Sequence, residues 1–181
     1  MLMNKKVVLA YSGSLDTSIA VQWLRGAGYD VVAVCIDVGD NKDLTEIKVK
    51  AIQVGAVISS IIYAKEEFTN DYAQLASQTQ SYDEDNDSLM SALSRPFISK
   101  KLVEIAEQEN AIAIAHGCTS EEDQVSFETL IKALNPKLEV LAPTLDSNWS
   151  CEEKVAYAKE NNIPIPVNLL SESTKLIGAW N

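Results

Sequence analysis

The chain has 181 residues, 46% of them hydrophobic and 23% charged, with a formal net charge of −11 at pH 7. That balance describes a folded domain with a sizeable core and excludes wholesale disorder. No apolar run approaches the roughly 18 residues of a membrane-spanning helix, and no basic stripe provides the cationic face that RNA or DNA binding needs, so neither a membrane nor a nucleic-acid partner is expected.

The N-terminal MLMNKK leads directly into a strand-like stretch, without the apolar core of a signal peptide, and a cytoplasmic protein is expected. Lys6–Tyr11 reads as the first strand and Asp16–Ala27 as the helix that follows it. Strand Val31–Asp37, helix Leu44–Val54, strand Val57–Tyr63 and helix Glu66–Ser77 come next. The polar, acidic stretch QTQSYDEDNDS at 78–88 reads as a solvent loop or lid. Beyond it lie helix Leu89–Glu109, strand Ala111–Ala115, helix Asp123–Leu134, strand Leu138–Ala142 and helix Cys151–Asn161. The strand runs are nearly continuous Val, Ile, Leu and Ala, as in a parallel sheet covered on both faces. Strict alternation with helices predicts an α/β fold with a doubly wound, open parallel sheet, Rossmann-like, whose ligands bind at the carboxyl ends of the strands. Residues 1–166 form one domain in this reading. Pro164 and Pro166 forbid a further helix, so 167–181 reads as a C-terminal arm with apolar side chains that need a partner surface. Cys35, Cys118 and Cys151 are far apart, form no C-x-x-C pair, and read as buried thiols of a reducing compartment.

The stretch AYSGSLDTS at 10–18 stands where the first strand hands over to the first helix. Gly13 and its small neighbours permit a tight turn, Asp16 or Thr17 is expected to cap the helix, and the turn and helix amides together form an anion nest. The spacing is neither G-x-x-x-x-G-K-[ST] nor G-x-G-x-x-G, and on spacing alone a plain strand–turn–helix is an equal alternative.

SGSLDTS resembles the S-G-G-x-D-[ST]-S pyrophosphate loop of the ATP pyrophosphatase superfamily. With VVLAYSGSLDTS, YDVVAVCIDVGD, SALSRPFISKKLVEIA, AHGCT, DQVSFE and IPIPV in order, nearly the whole chain resembles the nucleotide-binding domain of the argininosuccinate synthase family. The resemblance implies an adenine nucleotide alpha hydrolase-like fold and an ATP-dependent C–N ligase of arginine biosynthesis. There the citrulline ureido oxygen attacks the α-phosphate of ATP, pyrophosphate leaves, and the aspartate amine displaces AMP from citrullyl-AMP. It assigns Ala10, Tyr11, Ser12, Gly13, Ser14, Asp16, Thr17, Ser18, Ile36, His116, Gly117, Cys118 and Thr119 to ATP, which would arrive with Mg2+. It assigns Thr119 and Asp123 to aspartate, Ser91 and Ala92 to the citrulline segment, and catalytic roles to Asp16 and Asp123. Arg95, Lys100 and Lys101 read as a solvated helix face.

Several positions depart from the family pattern, and most lie on the amino-acid side. Ser14 replaces the second glycine, the stretch Ser120 to Glu128 is one residue shorter and has Ser126 where the family places an arginine for the citrulline carboxylate, and Asp87 stands in a tyrosine position. The family continues into a second domain. Three functions therefore stand beside one another: a ligase, whole or completed by a homo-oligomer or a separately encoded second domain; a nucleotide-binding module that does no chemistry; and an RNA-modifying relative, disfavoured by the missing cysteine pair and basic surface.

Overall fold

A computed structural model describes residues 5–39, 43–71, 86–118 and 121–166, with the backbone alone for 86–93. Five strands, β1 (Lys5–Ala10), β2 (Tyr29–Asp37), β3 (Ile58–Tyr63), β4 (Ala113–Ala115) and β5 (Glu139–Leu141), form one parallel sheet in the order β3-β2-β1-β4-β5. The helices are α1 (Leu15–Gly26), α2 (Leu44–Gln53), α3 (65–71), α4 (Asn86–Gln108), α5 (Glu121–Leu134), α6 (Pro143–Asp146) and α7 (Cys151–Glu160). This is the doubly wound sheet that the alternating apolar runs predict.

Alternation of side chains along each strand divides the core in two. Val7, Leu9, Ala33 and Ala115 pack with Leu24 of α1, Ala51 of α2 and Val155 of α7. Val8, Val32 and Ile114 face the other way, against Leu102 of α4 and Ile131 of α5. Both faces are thus covered, which is why the strands carry no polar alternation. A smaller cluster ties α3 to α4: the Phe68 and Phe97 ring centroids lie 5.3 Å apart, and Lys101 pairs with Glu67 at 2.8 Å. The Lys101 side chain is only 15% exposed, so it belongs to this junction and not to a solvated face.

The other departures from expectation have local causes. Residues 86–88 of the acidic stretch belong to α4, whereas 72–85 and the 167–181 arm lie outside the described residues. β4 is shorter than expected: its paired register starts at Val7↔Ala113, although Ile112 already gives its N–H to Lys6 O at 3.0 Å. Helix α6 was not anticipated; Pro143 at its start supplies the pre-set φ that favours a first helical position. Cys35 is buried, but Cys151 is exposed, because it opens the first turn of α7 on the surface beyond its Ser150 cap. Among the described residues no helix is long and apolar enough to cross a membrane.

Leu102 is fully buried under the sheet. Leu102→Ala is expected to lower the unfolding free energy by about 2–5 kcal/mol, read from the urea midpoint and slope.

Candidate functional site

Strand order reverses at β1. The chain leaves β1 for β2 and β3 on one side and returns as β4 on the other, so a crevice opens between the carboxyl ends of β1 and β4. Tyr11 keeps pairing with β2 through its N–H to Val34 O at 2.8 Å, after which the chain turns at Gly13, whose φ is +79°. A Cβ on Gly13 would also stand 3.0 Å from Ile47 Cγ1. Ser14 is extended, with φ −67° and ψ 167°, so the family's second glycine can be a serine here without backbone strain.

Ser14 caps α1. Its Oγ accepts the Thr17 N–H at 3.3 Å, which corrects the expectation that Asp16 or Thr17 is the cap; those two already lie within the helix. Asp16 sits in the first turn with its carboxylate 2.7 Å from Lys154 Nζ on α7, and it does not line the cavity. Ser18 is fully buried, donates to Ser14 O at 2.8 Å and shares a 3.0 Å hydrogen bond with the Tyr11 hydroxyl. It therefore supports the turn from beneath.

The other wall comes from the end of β4. A Cβ on Gly117 would lie 2.7 Å from Thr17 Cγ2 and 3.4 Å from Thr17 N, so only glycine lets this segment pass so close to the start of α1. His116 is 1% exposed, stacks on Phe127 at 5.5 Å, and accepts the Cys118 N–H on Nδ1 at 3.3 Å. That bond assigns the proton to Nε2, which has no partner among the described residues.

These walls border an open cavity of about 250 Å³. From the expected residues it gathers Ala10 at the end of β1, Tyr11, Ser12 and Thr17 after it, Ile36 on β2, and His116, Gly117 and Cys118 after β4. Val34, Cys35, Val38, Ile98 and Phe127 complete it and were not foreseen. Gly13 and Ser14 border an adjoining hollow with Ile47 and Lys50 of α2. Thr119 lies outside the described residues, and Ser91 and Ala92 lie on α4 where only the backbone is described. Asp123, in the first turn of α5, is ion-paired with Arg95 of α4. Arg95 is half-exposed as well as ion-paired, and together with Val125 and Ser126 it borders a groove between the two helices.

The cavity walls are neutral. Burial pushes the Cys118 thiol up to about 11, with Asp123 adding to the shift, so it stays protonated and is no nucleophile at neutral pH. Burial also raises the Tyr11 phenol and lowers His116, the latter against the opposing pull of Asp146 and Asp123. What the site offers is an apolar slot and the small-residue turn leading into the amino end of α1, with the unpartnered Nε2 of His116 buried behind its wall.

Residues 6–164 match the family described as the arginosuccinate synthase N-terminal HUP domain. The chain belongs to the argininosuccinate synthase family. It is 59% identical over 167 residues to the argininosuccinate synthases of Bacillus thuringiensis (strain Al Hakam), Bacillus cereus (strain AH820) and Bacillus anthracis (strain CDC 684 / NRRL 3495). These alignments cover 92% of this chain and 42% of each relative, so the chain spans less than half the length of the curated synthases it matches. Among solved structures, a predicted subunit of tRNA methyltransferase from Methanocaldococcus jannaschii aligns with a TM-score of 0.57 at 14% identity, over 86% of this chain and 76% of its own. NAD+ synthetase from Burkholderia pseudomallei aligns with a TM-score of 0.50 at 17% identity, over 97% and 82%. At such identities these two likenesses show a shared fold alone.

Two outcomes follow from this geometry. Gly117→Ala should destabilise the chain by about 1–3 kcal/mol through overpacking, and Thr17→Ser in the same chain should recover most of the loss by removing Cγ2; additive effects in a double-mutant cycle would contradict the contact. Because the folded His116 pKa lies below the ordinary value of about 6.5, its contribution to stability is whole above that value. It is lost as pH falls from there through the lowered folded value. Urea midpoints at about pH 7.5 and about pH 5 should therefore differ less in His116→Phe than in the wild type.

Proposed function

We propose that this chain binds ATP with magnesium as the nucleotide half of an argininosuccinate synthase-type ligase. The cavity would take adenine and ribose, and the Ser12–Ser18 turn the phosphates. The observation that carries this reading is the convergence of two separate segments, the turn after β1 and His116–Cys118 after β4, on one cavity at the point where strand order reverses. Its chemistry suits the nucleotide. Ile36, Val34 and Phe127 give apolar surface for a base. With a net charge of −11 the protein's overall field repels a polyanion, so the phosphates would depend on local amides at the turn and the start of α1. Among the described residues no three His, Cys, Asp or Glu side chains gather to hold a metal, and magnesium would be carried mainly by phosphate oxygens and water.

The acceptor side is altered in this reading. Asp123 would meet the aspartate amine, yet it is held by Arg95, and Ser126 offers no guanidinium for a citrulline carboxylate. A lost charge-assisted bond is worth about 1.5–3 kcal/mol, and a second loss of that size at Asp87 would remove most of the roughly 4–8 kcal/mol of millimolar to micromolar recognition. Residues 1–181 would thus bind nucleotide without activating citrulline by themselves. A second domain or another copy would complete the acceptor site. The Arg95–Asp123 pair equally favours a second reading, a nucleotide-binding module that performs no ligation.

Calorimetry is expected to show MgATP binding, weakened about ten-fold or more by Gly13→Val, which imposes a β-branched side chain on a positive φ. Equal affinities would remove the site. Pyrophosphate–ATP isotope exchange by this chain should not respond to citrulline, since in-line attack requires the acceptor held about 3–3.5 Å from phosphorus. Citrulline-dependent exchange would make residues 1–181 a self-sufficient adenylating enzyme.

A further inference from the structure

We propose that Lys50 is a positioning residue of the phosphate turn: reaching in from α2, its ammonium holds the Gly13 carbonyl and so aims the Gly13–Ser14 peptide N–H toward the nucleotide. The inference deepens the ATP reading and rests on it. Lys50 lies in the last turn of α2, and its Nζ donates to Gly13 O at 2.7 Å. No peptide bond among the described residues is cis, and in a trans peptide the carbonyl and the following N–H point in opposite directions. Fixing Gly13 O against α2 therefore fixes the direction of the Ser14 N–H. That N–H points to the Ser12 side of the turn, where it meets only Ser12 Oγ, at a long 3.4 Å. Ser12 lines both the cavity and the adjoining hollow, so an anionic oxygen entering there would be a stronger acceptor than the hydroxyl it displaces.

The arrangement is specific to a turn with Gly13 at φ +79°, because a peptide with so little steric hindrance can flip unless something holds its carbonyl. The nearby carboxylate of Asp43 cannot provide this hold, because it is itself an acceptor; it takes the Thr45 and Glu46 amides as the cap of α2. Burial lowers the Lys50 pKa against the opposing field of Glu46, as expected of an ammonium drawn out of water toward a carbonyl.

The test uses the 181-residue chain with Lys50→Met, which keeps an apolar stem but removes the donor, and Lys50→Arg, which keeps a donor. Lys50→Met should weaken MgATP binding about ten-fold or more while leaving adenosine binding within about two-fold, because adenosine carries no phosphate for the Ser14 N–H. The Ser14 amide resonance of the nucleotide-free chain should shift in Lys50→Met, and Lys50→Arg should restore most of the ATP affinity. Unchanged ATP affinity in Lys50→Met would overturn the proposal. So would a parallel loss of ATP and adenosine binding with a lowered melting temperature, which marks a merely structural lysine. If the wild type itself binds no ATP, the nucleotide reading fails separately, and an unmoved Ser14 amide in Lys50→Met then rules out the clamp.

Discussion

β1 is hydrogen-bonded on both edges, to β2 through the register Val7↔Val31 and to β4 through Val7↔Ala113. Every feature of the site depends on that double pairing. A central strand with both neighbours parallel leaves its carboxyl end as the place where the two halves of the sheet diverge. The segment leaving β1 and the segment leaving β4 must then share one narrow opening, and the 2.7 Å distance between a notional Gly117 Cβ and Thr17 Cγ2 measures how narrow it is. Gly117 is in this sense part of the architecture before it is part of any binding site.

The turn that follows β1 is held from several directions. Ser14 Oγ caps α1, Ser18 Oγ holds the Ser14 carbonyl from below, and Lys50 holds the Gly13 carbonyl from the side. Each backbone carbonyl fixed outward leaves an amide facing the other way, which is how a chain with a strongly negative net charge can still present a locally positive surface. Neutral His116 and protonated Cys118 keep the opposite wall from opposing it.

Much of the fold was legible in the sequence because its strands are buried on both faces. Unbroken runs such as Val31 to Ile36 announce a parallel sheet, and their alternation with helices leaves few topologies. Strand ends were less legible: β4 and β5 are three residues each, and apolar residues beyond them continue into turns. The loop residues that converge on the cavity could be picked out because SGSLDTS and AHGCT resemble family loops; their spacing alone left a plain strand–turn–helix equally open. Val38, Ile98 and Phe127 could not, since an apolar side chain at the end of a strand or on a helix reads the same whether it faces core or cavity. Lys50 was hidden for a different reason. Its partner is a backbone carbonyl 37 positions away, and a main-chain acceptor leaves no mark in the sequence.

The pairing of β1 with β4 also bears on how the molecule assembles. β1 and β2 are joined by a single helix and can meet early, whereas Val7 finds Ala113 only after a long intervening segment has been closed into a loop. Loop closure of that length makes this a high-contact-order pairing, formed late relative to the β1–α1–β2 unit. On a ribosome the first wall of the cavity is complete well before His116 and Gly117 leave the exit tunnel. During that interval the edge of β1 is an open strand, exposed to pairing with other chains until its own β4 arrives.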